Sequence, residues 1–184
     1  MSLNLCIVYH HFILTRVLLG FVGDLIGIPN LPAFANPSAT GRNILRGVNY
    51  ASAAAGILDE TGQNLGQRFT LSQQVENFEK TLNQLRNKLS MSDEELSHYL
   101  SKALVVMTLG SNDYINNYLV PSMYPTSFMY NPKDYADLLI ERYARQILVR
   151  LDLLTIHSFL LEHIRVLIAI FGNITAKCYV TIFI

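Results

Sequence analysis

The sequence predicts an α/β protein built on a parallel sheet. An unbroken apolar run at 103–109 is typical of a strand buried on both faces. A β-branched and aromatic piece, Val48 to Tyr50, indicates an earlier strand that runs into a tight connection. Helical periodicity precedes and follows the apolar run, and this alternation of strands and helices is that of a parallel α/β fold.

Length and composition fit one domain with a core and favour no charged partner. The chain has 184 residues, with 14 basic and 14 acidic side chains and no basic stripe, so we expect no nucleic-acid partner. Two cysteines, Cys6 and Cys178, lie near opposite ends and have no metal-ligand spacing. We expect no metal and no cofactor, and the oligomeric state is left open.

The two ends are apolar but fit neither a signal peptide nor a membrane span well. His10 and His11 split the N-terminal apolar run, and the first charge comes late, at Arg16. Charges also interrupt the tail, each costing roughly 2.5–3.5 kcal/mol at mid-bilayer. They are Arg150, Asp152, Glu162 and Arg165. We therefore expect no stable membrane span, and the tail is predicted to form an amphipathic or buried helix.

The first long helix is predicted over 71–89. Its apolar residues recur at steps of three and four, the period of one helical face. They are Leu71, Val75, Phe78, Leu82, Leu85 and Leu89. Thr70 with Gln73 forms a potential capping box at its start. Upstream, the stretch 27–43 is rich in turn residues and is predicted to be a loop.

Two further helices flank the apolar strand. Ser92 with Glu95 gives a second capping box and opens a short helix through about Leu100. After the strand, Asn131 before Pro132 marks the start of a helix reaching about Val149. Its apolar face consists of Tyr135, Leu138, Leu139, Tyr143 and Ile147.

Gly110, Ser111, Asn112 and Asp113 follow the strand at 103–109 and allow two interpretations. One is an ordinary turn, because these residue types tolerate turn backbones. The other is a functional site, in which the amide of Asn112 points into a cleft at the end of a strand and donates to a developing oxyanion.

Several sequence blocks in order resemble the plant GDSL esterase/lipase family, a branch of the SGNH hydrolases. The resemblance runs from about Phe21 to Val149. "GVNYASAAAGIL" (47–58) is similar to the family's second block, and "GSNDYINNY" (110–118) to the third. "DLIGIPNLPAF" (24–34) and "YNPKDYADLLIERYARQI" (130–147) resemble the segments around them.

The resemblance implies a three-layer α/β/α flavodoxin-like domain that hydrolyses lipid or acyl esters and is typically secreted. It assigns Asn112 to the oxyanion hole. It also assigns the backbone N–H of Ala53, although the family usually has a glycine there. Gly56 is interpreted as a packing residue. A Ser in Gly-Asp-Ser and a His in Asp-x-x-His supply the family's nucleophile and base.

Neither of those two motifs occurs in this sequence. Gly23-Asp24-Leu25 lacks the Ser, Asp152 and His157 are five residues apart, and His163 has no Asp three residues before it. We therefore expect a family member truncated at both ends and inactive by itself. The predicted division is a divergent N-terminal segment, a partial hydrolase domain and a divergent tail, at 1–20, 21–149 and 150–184.

Two alternatives remain open. The chain is a non-catalytic remnant that binds an acyl ligand or a membrane surface through its apolar ends, or it is an enzyme that uses Ser52 or Ser111 as nucleophile.

The resemblance also predicts a gap in the sheet. The family's first strand lies between the second and third, and this sequence keeps the second and third strands but lacks the first. The apolar segment 5–14 is a candidate to fill that gap.

Overall fold

A computed structural model describes residues 4–9, 31–152 and 179–183 of the chain. The predictions made for Asp24, His157 and His163 lie outside these ranges. In strands β1 and β4 the description covers the backbone and its pairing.

Among the described residues, four strands form one sheet in the order β2-β1-β3-β4. In chain order they are β1 (Asn4–Tyr9), β2 (Gly47–Asn49), β3 (Ala103–Leu109) and β4 (Tyr179–Phe183). β1 runs parallel to both β2 and β3, whereas β4 is antiparallel to β3. The α/β class is confirmed. The predicted parallel pairing holds among β1, β2 and β3, whereas antiparallel β4 makes the whole sheet mixed.

β1 occupies the position between β2 and β3. Cys6 is in register with Val48 on one side and with Val105 on the other. Residues 5–9 of the candidate segment therefore supply a strand at the gap that the resemblance predicted. This placement gives the facing backbone groups of both neighbours a pairing partner, and unpaired buried groups are costly.

The tail departs from its predicted helix at β4. Tyr179–Phe183 has the sequence YVTIF. β-branched and aromatic residues favour a strand, and β3 offers an open edge to pair with. Pairing with β3 therefore favours a strand over the predicted helix in these five residues.

Three helices of eight or more residues lie in the described chain, beside shorter helical turns at Gly41–Arg46, Gln63–Leu65 and Thr126–Met129. The three helices are α1 (Leu71–Lys88), α2 (Asp93–Leu100) and α3 (Pro132–Asp152). The predicted capping boxes at Thr70 and Ser92 are both present. Asn131 caps α3, because its side-chain oxygen accepts from the N–H of Lys133 and of Asp134, each at 3.0 Å.

The predicted apolar faces of α1 and α3 line the core. Both helices bury their stripes against β2, β3 and the loops between them. The buried members are Leu71, Val75, Leu82, Leu85, Tyr135, Leu139, Tyr143 and Ile147. Tyr118 stacks on Tyr135 with ring centroids 4.6 Å apart, and Tyr114 meets the same ring edge-on at 5.3 Å. These rings hold the chain after β3 against α3.

Within the described ranges, no helix has both the length and the hydropathy that crossing a bilayer demands.

Candidate functional site

The site lies where β3 ends. Gly110 has a φ of +102°, a backbone conformation that favours glycine. It allows the chain to leave the strand and enter a helical turn at Ser111–Asp113, followed by a π-helix at Tyr114–Tyr118. Single-turn π-helices occur frequently at functional sites. The stretch therefore opens a helical segment and is not a simple reverse turn.

Asn112 is buried and joins this turn to the second sequence block. Its side chain is 3% exposed. Its Nδ2 donates to the carbonyl oxygen of Ala55 at 2.8 Å. Its Oδ1 accepts from Asn116 Nδ2 at 3.1 Å, one helical turn further on. The orientation of the amide is thus fixed from both sides.

The segment carrying Ala53 is a tight loop, residues 51–61, hereafter the second-block loop. Ala53 is exposed, and Ala54 adopts a left-handed φ of +64°. Gly62 approaches it so closely that a Cβ there would lie 2.2 Å from the Ala54 carbonyl oxygen. The structure brings Asn112 to Ala55, two residues beyond Ala53. The amide of Asn112 therefore binds the loop that contains Ala53.

Asp113, the next residue, is fully buried and binds the same loop. Its Oδ2 accepts from the N–H of Ile57 at 2.8 Å. Its Oδ1 accepts from the N–H of Leu58 at 3.0 Å and from Thr61 Oγ1 at 2.8 Å. Burial raises the pKa of Asp113 to about 6, although these hydrogen bonds favour the charged form and oppose the shift.

Gly56 allows this approach. A Cβ at residue 56 would lie 2.4 Å from Asp113 Oδ1, well inside van der Waals contact. The packing role predicted for Gly56 is confirmed, and its partner is the carboxylate of Asp113.

A chain of buried hydroxyl and amide groups continues from Asp113. Thr61 Oγ1 accepts from Asn117 Nδ2 at 3.2 Å. Asn117 Oδ1 in turn accepts from Thr126 Oγ1 at 2.5 Å. Thr61, Asn117 and Thr126 are all buried. The second-block loop is therefore tied to both the π-helix and the turn that follows it.

Helix α3 supports the arrangement from behind. Tyr135 OH donates to the backbone carbonyl of Asp113 at 2.9 Å. Gln146 Nε2 donates to the carbonyl of Ile57 at 3.1 Å. Burial, followed by the charge of Asp113, raises the pKa of Tyr135 above its ordinary value, so its hydroxyl keeps the proton that it donates.

The alternative nucleophiles are placed as follows. The hydroxyl oxygen of Ser52 accepts from the N–H of Phe69 at 2.8 Å. Ser111 is half-buried at the start of the helical turn. In the part of the chain that the structure describes, His98 is the one histidine, and it lies exposed on α2.

The described residues were also compared with the side-chain groupings that bind metal ions. Within 4–9, 31–152 and 179–183, no group of three or more His, Cys, Asp or Glu side chains is arranged to hold an ion.

Sequence reasoning missed Asp113, Thr61 and Asn117 as members of this site. Their partners lie about fifty residues away in the chain, as in the bond between Thr61 and Asp113, which spans 52 residues. The available signal was Gly56, because a glycine inside an apolar block indicates a close approach by another group.

Fold and site together define an α/β protein with a polar site at the carboxyl end of a sheet strand. Residues 9–178 match the family of GDSL-like lipases and acylhydrolases. The chain belongs to this family.

The chain is also similar to plant members of this family from Arabidopsis thaliana. GDSL esterase/lipase At5g08460 is 49% identical over 133 residues, covering 72% of this chain and 34% of that protein. GDSL esterase/lipase At1g71250 is 55% identical over 124 residues, covering 67% and 33%. GDSL esterase/lipase 7 is 46% identical over 132 residues, covering 72% and 36%.

The chain thus spans about a third of the length of the curated relatives it matches. No solved structure was found to match it.

Proposed function

We propose that this chain carries the oxyanion half of an ester-hydrolase site that acts on lipid or acyl esters. Asn112 supplies a side-chain donor, and the backbone N–H of Ala53 supplies a second, weaker one. A preplaced donor of this kind contributes about 2.7–4 kcal/mol to kcat in acyl transfer. The relatives' names, which read esterase/lipase, support the reaction class.

One observation carries the proposal. Asn112 is buried at the end of β3, and its amide binds the loop that contains Ala53. A turn residue without function is usually solvated, because exposed polar groups need no protein partner. Here the amide is fixed in the place where α/β proteins gather catalytic groups.

We further propose that this polypeptide has little or no esterase activity by itself. Its 184 residues contain neither a Gly-Asp-Ser nor an Asp-x-x-His motif. An unactivated Ser is a poor nucleophile, so an oxyanion hole alone leaves most of the acyl-transfer barrier in place.

Hydrolysis of short-chain p-nitrophenyl esters tests this proposal. We expect the purified chain and its Asn112→Ala variant to give the same rate, equal to the buffer background. Ser52→Ala and Ser111→Ala variants are assayed beside them. Turnover that disappears in either serine variant would contradict the inactivity and favour the alternative of an enzyme with an unrecognised nucleophile.

The remaining parts of the proposal concern architecture and location. We propose that the domain follows the three-layer α/β/α flavodoxin-like plan, with 21–149 as its family-like part and divergent segments at 1–20 and 150–184. We also propose a secreted location, as is typical of the family. Sequencing the full-length transcript for Gly-Asp-Ser and Asp-x-x-His coding segments tests the interpretation as a fragment.

The second candidate is a non-catalytic protein that binds an acyl ligand or a membrane surface. Exposed apolar side chains between 115 and 129 favour it, among them Leu119 at 66% and Phe128 at 78% exposure. Co-sedimentation with phosphatidylcholine vesicles tests this candidate. Binding that disappears when residues 151–184 are removed would assign it to the apolar tail, and absence of binding would contradict the membrane alternative.

A further inference from the structure

We propose that Asp113 is a positioning residue, which anchors the second-block loop so that it lies correctly beside Asn112. The inference rests on the proposed function for the identity of the two oxyanion donors. It adds that Asp113 fixes the relative position of these donors. The sequence blocks did not assign this role to Asp113.

The first argument is the convergence of donors on one carboxylate. Two consecutive backbone N–H groups, of Ile57 and Leu58, and the hydroxyl of Thr61 all point at the oxygens of Asp113. An ionised carboxylate is a pure acceptor and suits three donors. An asparagine at the same place would have an NH₂ group where the carboxylate has one of its two oxygens. That group cannot accept a hydrogen bond from the donors that face it.

The second argument is the adjacency of Asn112 and Asp113 on one helical turn. Asn112 binds the carbonyl of Ala55, and Asp113 binds the amides of the residues just beyond it. The two side chains therefore hold neighbouring peptide groups of the loop. Asn112 donates to a backbone carbonyl oxygen, whereas Asp113 accepts from backbone N–H groups. A shift of the loop away from Asp113 moves Ala55, and with it the partner that orients the Asn112 amide.

The third argument is that the anchor is itself fixed. The backbone carbonyl of Asp113 is held by Tyr135 from α3. Thr61 is held by Asn117. The absence of a Cβ at Gly56 lets the carboxylate reach the loop. Preorganisation of this kind is what a site needs in order to hold its donors within a fraction of an ångström.

Nuclear magnetic resonance on the full chain tests the proposal. The variants are Asp113→Asn and Thr61→Val, and the matched control is Asp137→Asn, which alters an exposed Asp paired with Lys133 on α3. Two properties are measured: the side-chain amide resonances of Asn112, and hydrogen exchange at the amides of Ile57 and Leu58.

For Asp113→Asn we expect shifted Asn112 side-chain resonances and about tenfold or greater loss of exchange protection at Ile57 and Leu58. Thr61→Val should produce smaller changes in the same direction, and Asp137→Asn should produce none. If Asp113→Asn does not fold, Thr61→Val decides, since two of the three donors to Asp113 remain in it.

Two results would overturn the proposal. One is a folded Asp113→Asn protein, or a Thr61→Val protein, in which the Asn112 side-chain resonances do not move. The other is a uniform loss of protection across α1 and α3 as well as the loop, which would assign Asp113 to general stability. Neither measurement involves ester turnover, so a failure of the proposed oxyanion role would appear separately, in the hydrolysis assay.

Discussion

At the scale of the residue, Asp113 couples the site to pH. Burial raises its pKa to about 6, above the ordinary aspartate value near 3.8. The folded state therefore binds this proton more tightly than the unfolded state does. Stability from this group is fully present below about pH 4 and is lost as pH rises through about 6.

We expect the free energy of unfolding to fall between pH 4 and pH 7 by an amount traceable to Asp113. One pKa unit corresponds to about 1.4 kcal/mol, so the contribution is about 3 kcal/mol at its largest. Chemical denaturation of the wild type and Asp113→Asn over this range measures it. The difference between the two free energies should shrink as pH rises; a difference that stays constant or grows would contradict the prediction.

At the level of residues, positions could be predicted from the sequence more readily than partners. Asn112 lies two residues after Gly110, which ends an apolar run, so its place at a strand end could be predicted from its neighbours. The role of Asp113 was not readable, because its donors lie 55 and 56 residues away along the chain. Only the folded backbone brings Ile57, Leu58 and the carboxylate together.

At the scale of the element, helix starts were predictable because capping is a local interaction. In α2 the Ser92 hydroxyl oxygen accepts from the N–H of Glu95 at 3.2 Å. The carboxylate of Glu95 returns the interaction at 2.8 Å, by accepting from the N–H of Ser92. This hydrogen bonding with Ser92 lowers the pKa of Glu95. All these partners lie within three residues of each other.

Ser92→Ala should therefore reduce the free energy of unfolding by about 1 kcal/mol, the usual cost of losing a capping side chain. The matched control is Ser97→Ala, the same substitution at an exposed position inside α2. It should be neutral or stabilising by about 0.5 kcal/mol, because alanine is the better helix former. Urea denaturation of both variants measures the contrast, and equal effects would contradict the capping assignment.

Element ends were less predictable where tertiary contacts set them. Val48 to Tyr50 was predicted as a strand, but β2 is Gly47–Asn49. Tyr50 leaves the strand and is buried against Phe78 of α1, with ring centroids 5.9 Å apart at a near-perpendicular angle. An aromatic residue is favoured both in a strand and in the core. Strand propensity alone therefore does not show that Tyr50 lies in the core beyond the end of the strand.

At the scale of the whole molecule, the sheet order depends on pairing between distant segments. The family resemblance predicted a gap between β2 and β3 and made segment 5–14 the candidate to fill it, whereas no local pattern in the sequence showed this order. The antiparallel pairing of β4 with β3 was not predicted either, because the tail was interpreted as a helix. Long-range pairing of this kind is the part of a fold that single-sequence reasoning reaches least.

The position of β1 leads to the last prediction. A strand between two neighbours uses its N–H groups on both sides, so a proline there removes a ladder hydrogen bond and does not fit a sheet interior. Ile7 is in register with Asn49 of β2 and Val106 of β3. Ile7→Pro should therefore abolish cooperative thermal unfolding, whereas Ile7→Val keeps the N–H and should lower the melting temperature by only a few degrees, about what 1 kcal/mol produces. Circular dichroism melts of the soluble chain measure both variants, and a cooperative transition in Ile7→Pro at the wild-type temperature would show that β1 does not hold the sheet together.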